Sequence, residues 1–267
     1  MRGRNGRTTT SDGSLLAWIG VLLMSVSFVW LQVTAIPRSI TRLEPAPPQT
    51  APFALVILDP GHGGQDSGTI KNGMVEKDLA LDLAHRVERV LRERGLVVAL
   101  TRADDTYVSL PDRAIIANNQ PESVFVSIHF DEGGRSAATG IETYYAAHPV
   151  SLPERIASWI PFLERTSSEP PNVESQSLAA SIQEALVART QATNRGTRPQ
   201  QFFVIANVRH PAVLVEGGFL TNKDEVVRLA NPDYREQMAA GIADGIVRYR
   251  DTLLGKQTPL AVDLPSR

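Results

Sequence analysis

The sequence predicts an α/β fold. Three observations carry that expectation. Short apolar runs with strand character alternate with longer stretches in which apolar residues recur at helical spacing. The first run, Ala54 to Leu58, stops at Leu58-Asp59-Pro60-Gly61-His62-Gly63-Gly64, where three glycines and a proline force a tight turn. A second histidine, His129, closes a third apolar run in the same topological place as His62. Sites in open α/β sheets lie outside the carboxyl ends of strands, so both histidines are presented where chemistry usually occurs.

Composition bounds the remaining choices. The 267 residues are 42% hydrophobic and 21% charged, which suits a globular domain with a full core. Formal net charge is −2, with no arginine cluster interleaved with aromatics, so no nucleic-acid partner is expected. There are no cysteines, which removes disulfides, thiolate metal sites and cysteine nucleophiles together. Any bound metal must be held by His, Asp or Glu.

The chain then reads in order. Residues 1–14 form a basic, polar tail. Residues 15–36 are an uncharged apolar run long enough to span a bilayer. Arg2, Arg4 and Arg7 precede it, which favours an inside N-terminus and an exported remainder. A cleaved signal peptide ending near Val33-Thr34-Ala35 is the other reading, and an uncleaved membrane helix is preferred. Either one exports the domain, to the periplasm or the wall. Residues 37–53, with five prolines, are an extended linker.

The domain proper is expected over 54–254. Leu79, Leu83, Val87, Val90 and Leu91 mark a helix that Arg94-Gly95 closes, with Glu76 in its first turn. Leu96 to Leu100 is a strand, Leu110 to Asn118 a short helix carrying Arg113, and Ser123 to Ile128 the strand that ends at His129. Gly140 to Ala146 is a fourth strand. Residues 147–174 interrupt the rhythm: Ser151 to Glu154 has capping-box spacing, and Ile156, Trp159, Ile160 and Leu163 share one face. Leu178 to Thr190 is helical. Phe202 to Ala206 and Ala212 to Val215 read as strands, the second running into Glu216-Gly217-Gly218. Tyr234 to Leu254 is the last helix, and 255–267 a loose tail.

Which groups could act on a substrate follows from residue type and place. His62, Glu76 and His129 make a His₂Glu set, the donor type of a catalytic zinc with an open position. Taken alone, Glu76 has as its usual explanation an acid complementing the helix dipole. Glu216 ends an apolar strand, where an unpaired carboxylate is expensive to bury. It is either a structural ion-pair partner or a general base and acid beside a metal. His85, His148 and His210 are weaker candidates; His210, before Pro211, has a substrate contact as its less favoured reading.

At these residues the chain resembles the zinc-dependent N-acetylmuramoyl-L-alanine amidases that cut bacterial cell wall. The matching segments are Leu58 to Gly64, Val75 to Asp78, Ser127 to His129 and Pro211 to Asn222, in matching order and separation, within roughly residues 54–250. The resemblance implies a single α/β domain with a mostly parallel central sheet flanked by helices, here preceded by the N-terminal membrane helix. It implies one zinc ion on His62, Glu76 and His129, with Glu216 catalytic. The implied reaction is hydrolysis of the amide between N-acetylmuramic acid and L-alanine in peptidoglycan. Phe130-Asp131 departs from the small or amide residues of many relatives, which brings Asp131 into question near the metal. Some relatives carry an occluding helix that a partner protein removes. Residues 147–174 lie in a similar place, so a lid bearing Trp159 and an activator acting on it is one expectation, and simple packing on the core the other.

Two other classes compete. A wall carboxypeptidase or deacetylase uses similar metal chemistry and differs in its products. A non-catalytic, membrane-tethered peptidoglycan-binding module would have little reason to keep the metal set together with Glu216.

Overall fold

The computed structural model describes residues 52–131, 138–148 and 172–257. They form one α/β domain around a six-stranded sheet in the order β4-β1-β5-β8-β6-β7. The first strand, β1 (Leu55–Pro60), lies between β4 and β5 and is buried along its whole length. Its apolar run without alternation is what a strand covered on both faces requires. β1 pairs in parallel with β4 (Val97–Leu100) and with β5 (Ser123–Asp131). β5 pairs in parallel with β8 (Ala212–Phe219). The direction reverses once: β6 (Ile141–Tyr145) runs antiparallel to β8, and the edge strand β7 (Asn194–Pro199) runs parallel to β6.

Helices cover both faces. On one face Val56, Leu58, Val124, Val126, Val213 and Val215 pack beneath α1 (Glu76–Glu93), α3 (Val173–Thr190) and α6 (Pro232–Gln257). On the other, Leu55, Ile57, Phe125, Ala212 and Leu214 meet α2 (Leu110–Asn118) and the single turn α4 (Phe203–Ala206). The alternation along each strand follows from its two-residue period. Side-chain caps set several helix starts: Ser109 accepts from Asp112 N, Asn172 from Ser175 N, and Asn222 from Asp224 N and Glu225 N ahead of α5 (Lys223–Ala230). α3 and α6 approach closely at Gly241 and Gly245, where a Cβ on Gly245 would stand 2.4 Å from Ile182 Cα.

Several expectations need correction. Phe202 to Ala206 is not a strand: Phe203–Ala206 closes one helical turn, with Ala206 N donating to Phe202 O at 2.9 Å. Its β-rich composition is shared by any short buried segment, and tertiary packing decides. β7, α5 and the small hairpin of β2 (Ile70–Lys71) and β3 (Met74–Val75) fall in stretches for which no element was expected. α3 begins at Val173, five residues earlier than its apolar periodicity suggested, because Asn172 supplies the cap. His129 lies inside β5 rather than after it. No helix among the described residues is long and apolar enough to cross a membrane. The apolar run 15–36, the linker up to residue 51, most of the 147–174 interruption and the tail from 258 lie outside the described residues.

Candidate active site

The turn after β1 is built to hold one side chain outward. His62 has φ 58°, a left-handed backbone that a non-glycine residue adopts at a cost of about 1–3 kcal/mol. Two buried arginines hold that turn by its carbonyls. Arg113 donates from Nη1 to Pro60 O at 2.6 Å and from Nη2 to His62 O at 2.5 Å. Arg102 donates from Nε to Pro60 O at 3.0 Å and from Nη2 to Gly61 O at 2.7 Å. Lys77 adds a bond from Nζ to Gly64 O at 2.9 Å. A buried carboxylate balances the arginines: Asp59 accepts from Arg113, from Thr101 at 2.6 Å and from Ser127 at 2.7 Å. Burial pushes the Asp59 carboxyl up, but the Arg113 charge and these hydrogen bonds outweigh it and hold the group below its usual value.

Three donor groups converge beyond this turn. Glu76 Oε1 lies 3.0 Å from His62 Nε2 and 3.0 Å from His129 Nδ1. The rings of the two histidines stand edge to face, 5.0 Å apart. Glu76 is fixed by main-chain donors as well, Phe130 N at 3.1 Å on Oε1 and Thr69 N at 2.9 Å on Oε2. Burial opposes its ionisation, yet the two histidines overcome this and hold Glu76 well below the carboxylate range. His62 is pulled down by burial and raised more strongly by Glu76 and Asp66. The other ring nitrogen of His62, Nδ1, meets Asp66 Oδ2 at 2.9 Å.

The residues fit a zinc ion. One donor atom from each of the three lies within 4.8 Å of the other two. A tetrahedral zinc with bonds of about 2.0–2.2 Å keeps its ligands a little over 3 Å apart, close to the spacing here. The Asp66–His62 pair has the arrangement in which a carboxylate orients a ligating imidazole. Glycines make the room: a Cβ at Gly61 would lie 2.4 Å from His129 Cε1, and one at Gly68 would lie 2.6 Å from Glu76 Oε2. His62, Glu76 and His129 can therefore hold the ion, with nitrogen and oxygen donors and no sulfur.

Glu216 arrives from β8. Its Cα pairs in register with His129 on β5 and with Glu142 on β6, so the three residues share one face of the sheet. It is 9% exposed, nearly buried. The remaining histidines are elsewhere. His210 Nε2 bonds Ala117 O at 2.9 Å, ahead of β8 and thus at the opposite end of that strand from Glu216. His85 bonds Ala103 O at 3.0 Å, and His148 follows β6. The side chain of Asp131 lies outside the described residues.

This arrangement has relatives. The sequence model described as N-acetylmuramoyl-L-alanine amidase matches residues 56–248. The chain belongs to that family. The amidase is 36% identical over 194 residues to the N-acetylmuramoyl-L-alanine amidase LytC of Bacillus subtilis (strain 168); the match covers 73% of this chain and 35% of LytC. Among solved structures it is similar to the N-acetylmuramoyl-L-alanine amidase from Clostridium difficile 630. The TM-score is 0.63 and the identity 35%, over 76% of this chain and 99% of that one. It is also similar to the CwlD amidase of Clostridioides difficile, solved in complex with the GerS lipoprotein. There the TM-score is 0.62 and the identity 28%, over 74% and 98% of the two chains.

The sequence missed Arg102, Asp66 and Asp59 as parts of this site. Asp59 and Asp66 carried a signal, lying within four residues of His62. Arg102 carried none, because its partners are backbone carbonyls.

Proposed function

We propose that this domain is a zinc amidase in which His62, Glu76 and His129 hold the ion and Glu216 moves the proton. The reaction is the family's: hydrolysis of the amide joining N-acetylmuramic acid to L-alanine in peptidoglycan. The observation that carries the residue assignment is the meeting of His62, Glu76 and His129 at 3.0 Å spacings, with Glu216 in register beside His129. Bound there, zinc would supply Lewis acidity, polarising a carbonyl and bringing the pKa of a water to roughly 7. Glu216 takes a proton from the attacking water and delivers it to the leaving nitrogen of L-alanine, so one carboxylate serves as base and then acid. Asp66 keeps the His62 ring turned toward the ion. Arg102 and Arg113 hold the His62 turn rigid through its carbonyls.

The domain spans 54–254 in this reading. It is exported by the uncharged run 15–36, as a membrane anchor or a cleaved signal, and linked to it by the proline-rich 37–53. A lid within 147–174, displaced by an activator protein, draws support from CwlD, a related amidase solved with a partner lipoprotein. Deleting 151–168 then raises activity on peptidoglycan; unchanged activity in a folded protein removes the lid.

Purified residues 53–255 incubated with peptidoglycan should release stem peptides with free L-alanine amino termini, identified by mass spectrometry. Release of D-alanine or acetate instead would give the assignment to a carboxypeptidase or deacetylase. Glu216→Gln is expected to keep its zinc and lose about 10²–10⁴-fold in rate, the usual worth of a positioned acid or base. His62→Ala is expected to lose the metal too.

A further inference from the structure

The reversal of the sheet puts a second charged group beside the candidate site. β6 runs against β8, so its first residues lie next to the end of β8, and Glu142 is the registered partner of Glu216. Glu142 is buried, 1% exposed, and three side chains from its own edge of the sheet converge on it. Arg195 Nε donates to Glu142 Oε2 at 3.2 Å, and Tyr144 Oη donates to the same oxygen at 2.9 Å. Arg198 Nε pairs with Oε1. The Arg195 guanidinium also lies over the ring of Phe219, 4.7 Å from its centroid.

What matters is which nitrogens are used. Both arginines approach Glu142 through Nε. Among the described residues, the Nη atoms of Arg195 and Arg198 have no hydrogen-bond partner. Arg198 is 58% exposed and Arg195 30%, while the carboxylate that orients them is buried. The two guanidinium groups exceed the one carboxylate they pair with, Glu142, while the Glu216 carboxylate stands on the neighbouring strand. Guanidinium forks held side by side, with their terminal nitrogens free, match a carboxylate in shape and charge.

We infer that Arg195 and Arg198, oriented by Glu142, form a binding site for a free carboxylate of the stem peptide. The inference rests on the peptidoglycan amidase reading of the same rim. Spacing supplies the reach: strands lie about 4.7–4.9 Å apart, so β7 is about 10 Å from Glu216's strand. An extended peptide covers that in about three residues. Counted from the cleaved bond at L-alanine, the second and third stem residues fall at the arginines. A free carboxylate on either residue reaches the guanidinium groups there, and converting it to a carboxamide removes the charge they would bind.

The test uses zinc-loaded protein and three muropeptides: one unmodified, one amidated at the second stem residue, one amidated at the third. The expected result is a preference of tenfold or more for the unmodified substrate over one of the amidated pair, read in kcat/KM and lying in KM. The amidated position that loses rate identifies which carboxylate is bound. Arg198→Gln and Arg195→Lys should bring that ratio toward one, with zinc content and Tm checked alongside. An unchanged ratio in the variants, equal losses on all three substrates, or no preference in the wild type would overturn the site. Calorimetric binding of the corresponding free stem peptides separates this from the reaction itself. If no muropeptide is cut, the amidase reading fails; selective binding of the carboxylate form still upholds the arginine site, and equal or absent binding removes it.

Discussion

At the scale of single residues, the candidate site depends on groups that never meet substrate. Asp59 is the clearest case, because it neutralises Arg113 inside the protein. Asp59→Asn leaves that guanidinium buried without its counter-charge and is expected to destabilise by about 3–5 kcal/mol, measured by urea unfolding. The dependence on pH has a definite sign. A carboxyl depressed in the folded state contributes its full stability above its ordinary value of 3.8, and loses it as pH falls through the folded pKa. The gap between wild type and Asp59→Asn should be constant near neutrality and narrow only under strong acid. Asp66 acts on the side of the proposed metal, through His62. Asp66→Ala removes the partner of His62 Nδ1 and is expected to weaken zinc binding about 10–100-fold, read by chelator competition, with the fold intact.

At the scale of elements, two glycines reverse a common rule. Replacing an interior helical glycine by alanine normally stabilises by roughly 1 kcal/mol. Gly245 of α6 sits against the α3 backbone, where a Cβ would meet Ile182 Cα at 2.4 Å. Gly245→Ala should therefore destabilise, by about 1–3 kcal/mol in thermal or denaturant unfolding, because the two helices must part. The same elements show what a sequence exposes. β1, β5 and β8 were legible because a strand covered on both faces is written as an unbroken apolar run. His62, Glu76 and His129 were legible because they stand at the ends of such runs or start the helix that follows. β7, Asn194–Pro199, was hidden: an edge strand with a glycine, a proline and two arginines has no apolar period. Phe203–Ala206 misled for the opposite reason, since one buried turn of Phe, Val, Ile and Ala has the composition of a strand. Arg102 was invisible, for a fully buried arginine reads as a surface charge until the carbonyls around it are known.

At the scale of the whole molecule, metal binding and folding are linked. A ligand bound only by the folded chain stabilises it by about 4 kcal/mol at a thousandfold excess over its Kd. For a domain of this size each kcal/mol moves Tm by about 2–4 °C. Zinc should raise the Tm of residues 53–255 by about 10 °C, and a chelator should reverse it. Glu216→Gln should keep the shift, while His129→Ala should abolish it. A full shift in His129→Ala would move the ion elsewhere.

The single reversal of strand direction between β8 and β6 divides the rim into two halves drawn from separate stretches of the chain. One half, the turn after β1, the start of α1 and the end of β5, lies wholly before residue 132. The other, on β6 and β7, lies wholly after residue 140. β8 is the seam they share. The two halves still meet at one point: Glu142, which Arg195 and Arg198 of β7 pair with, is the registered neighbour of Glu216, so a change on β7 that strips both arginines leaves a buried carboxylate beside the proposed base.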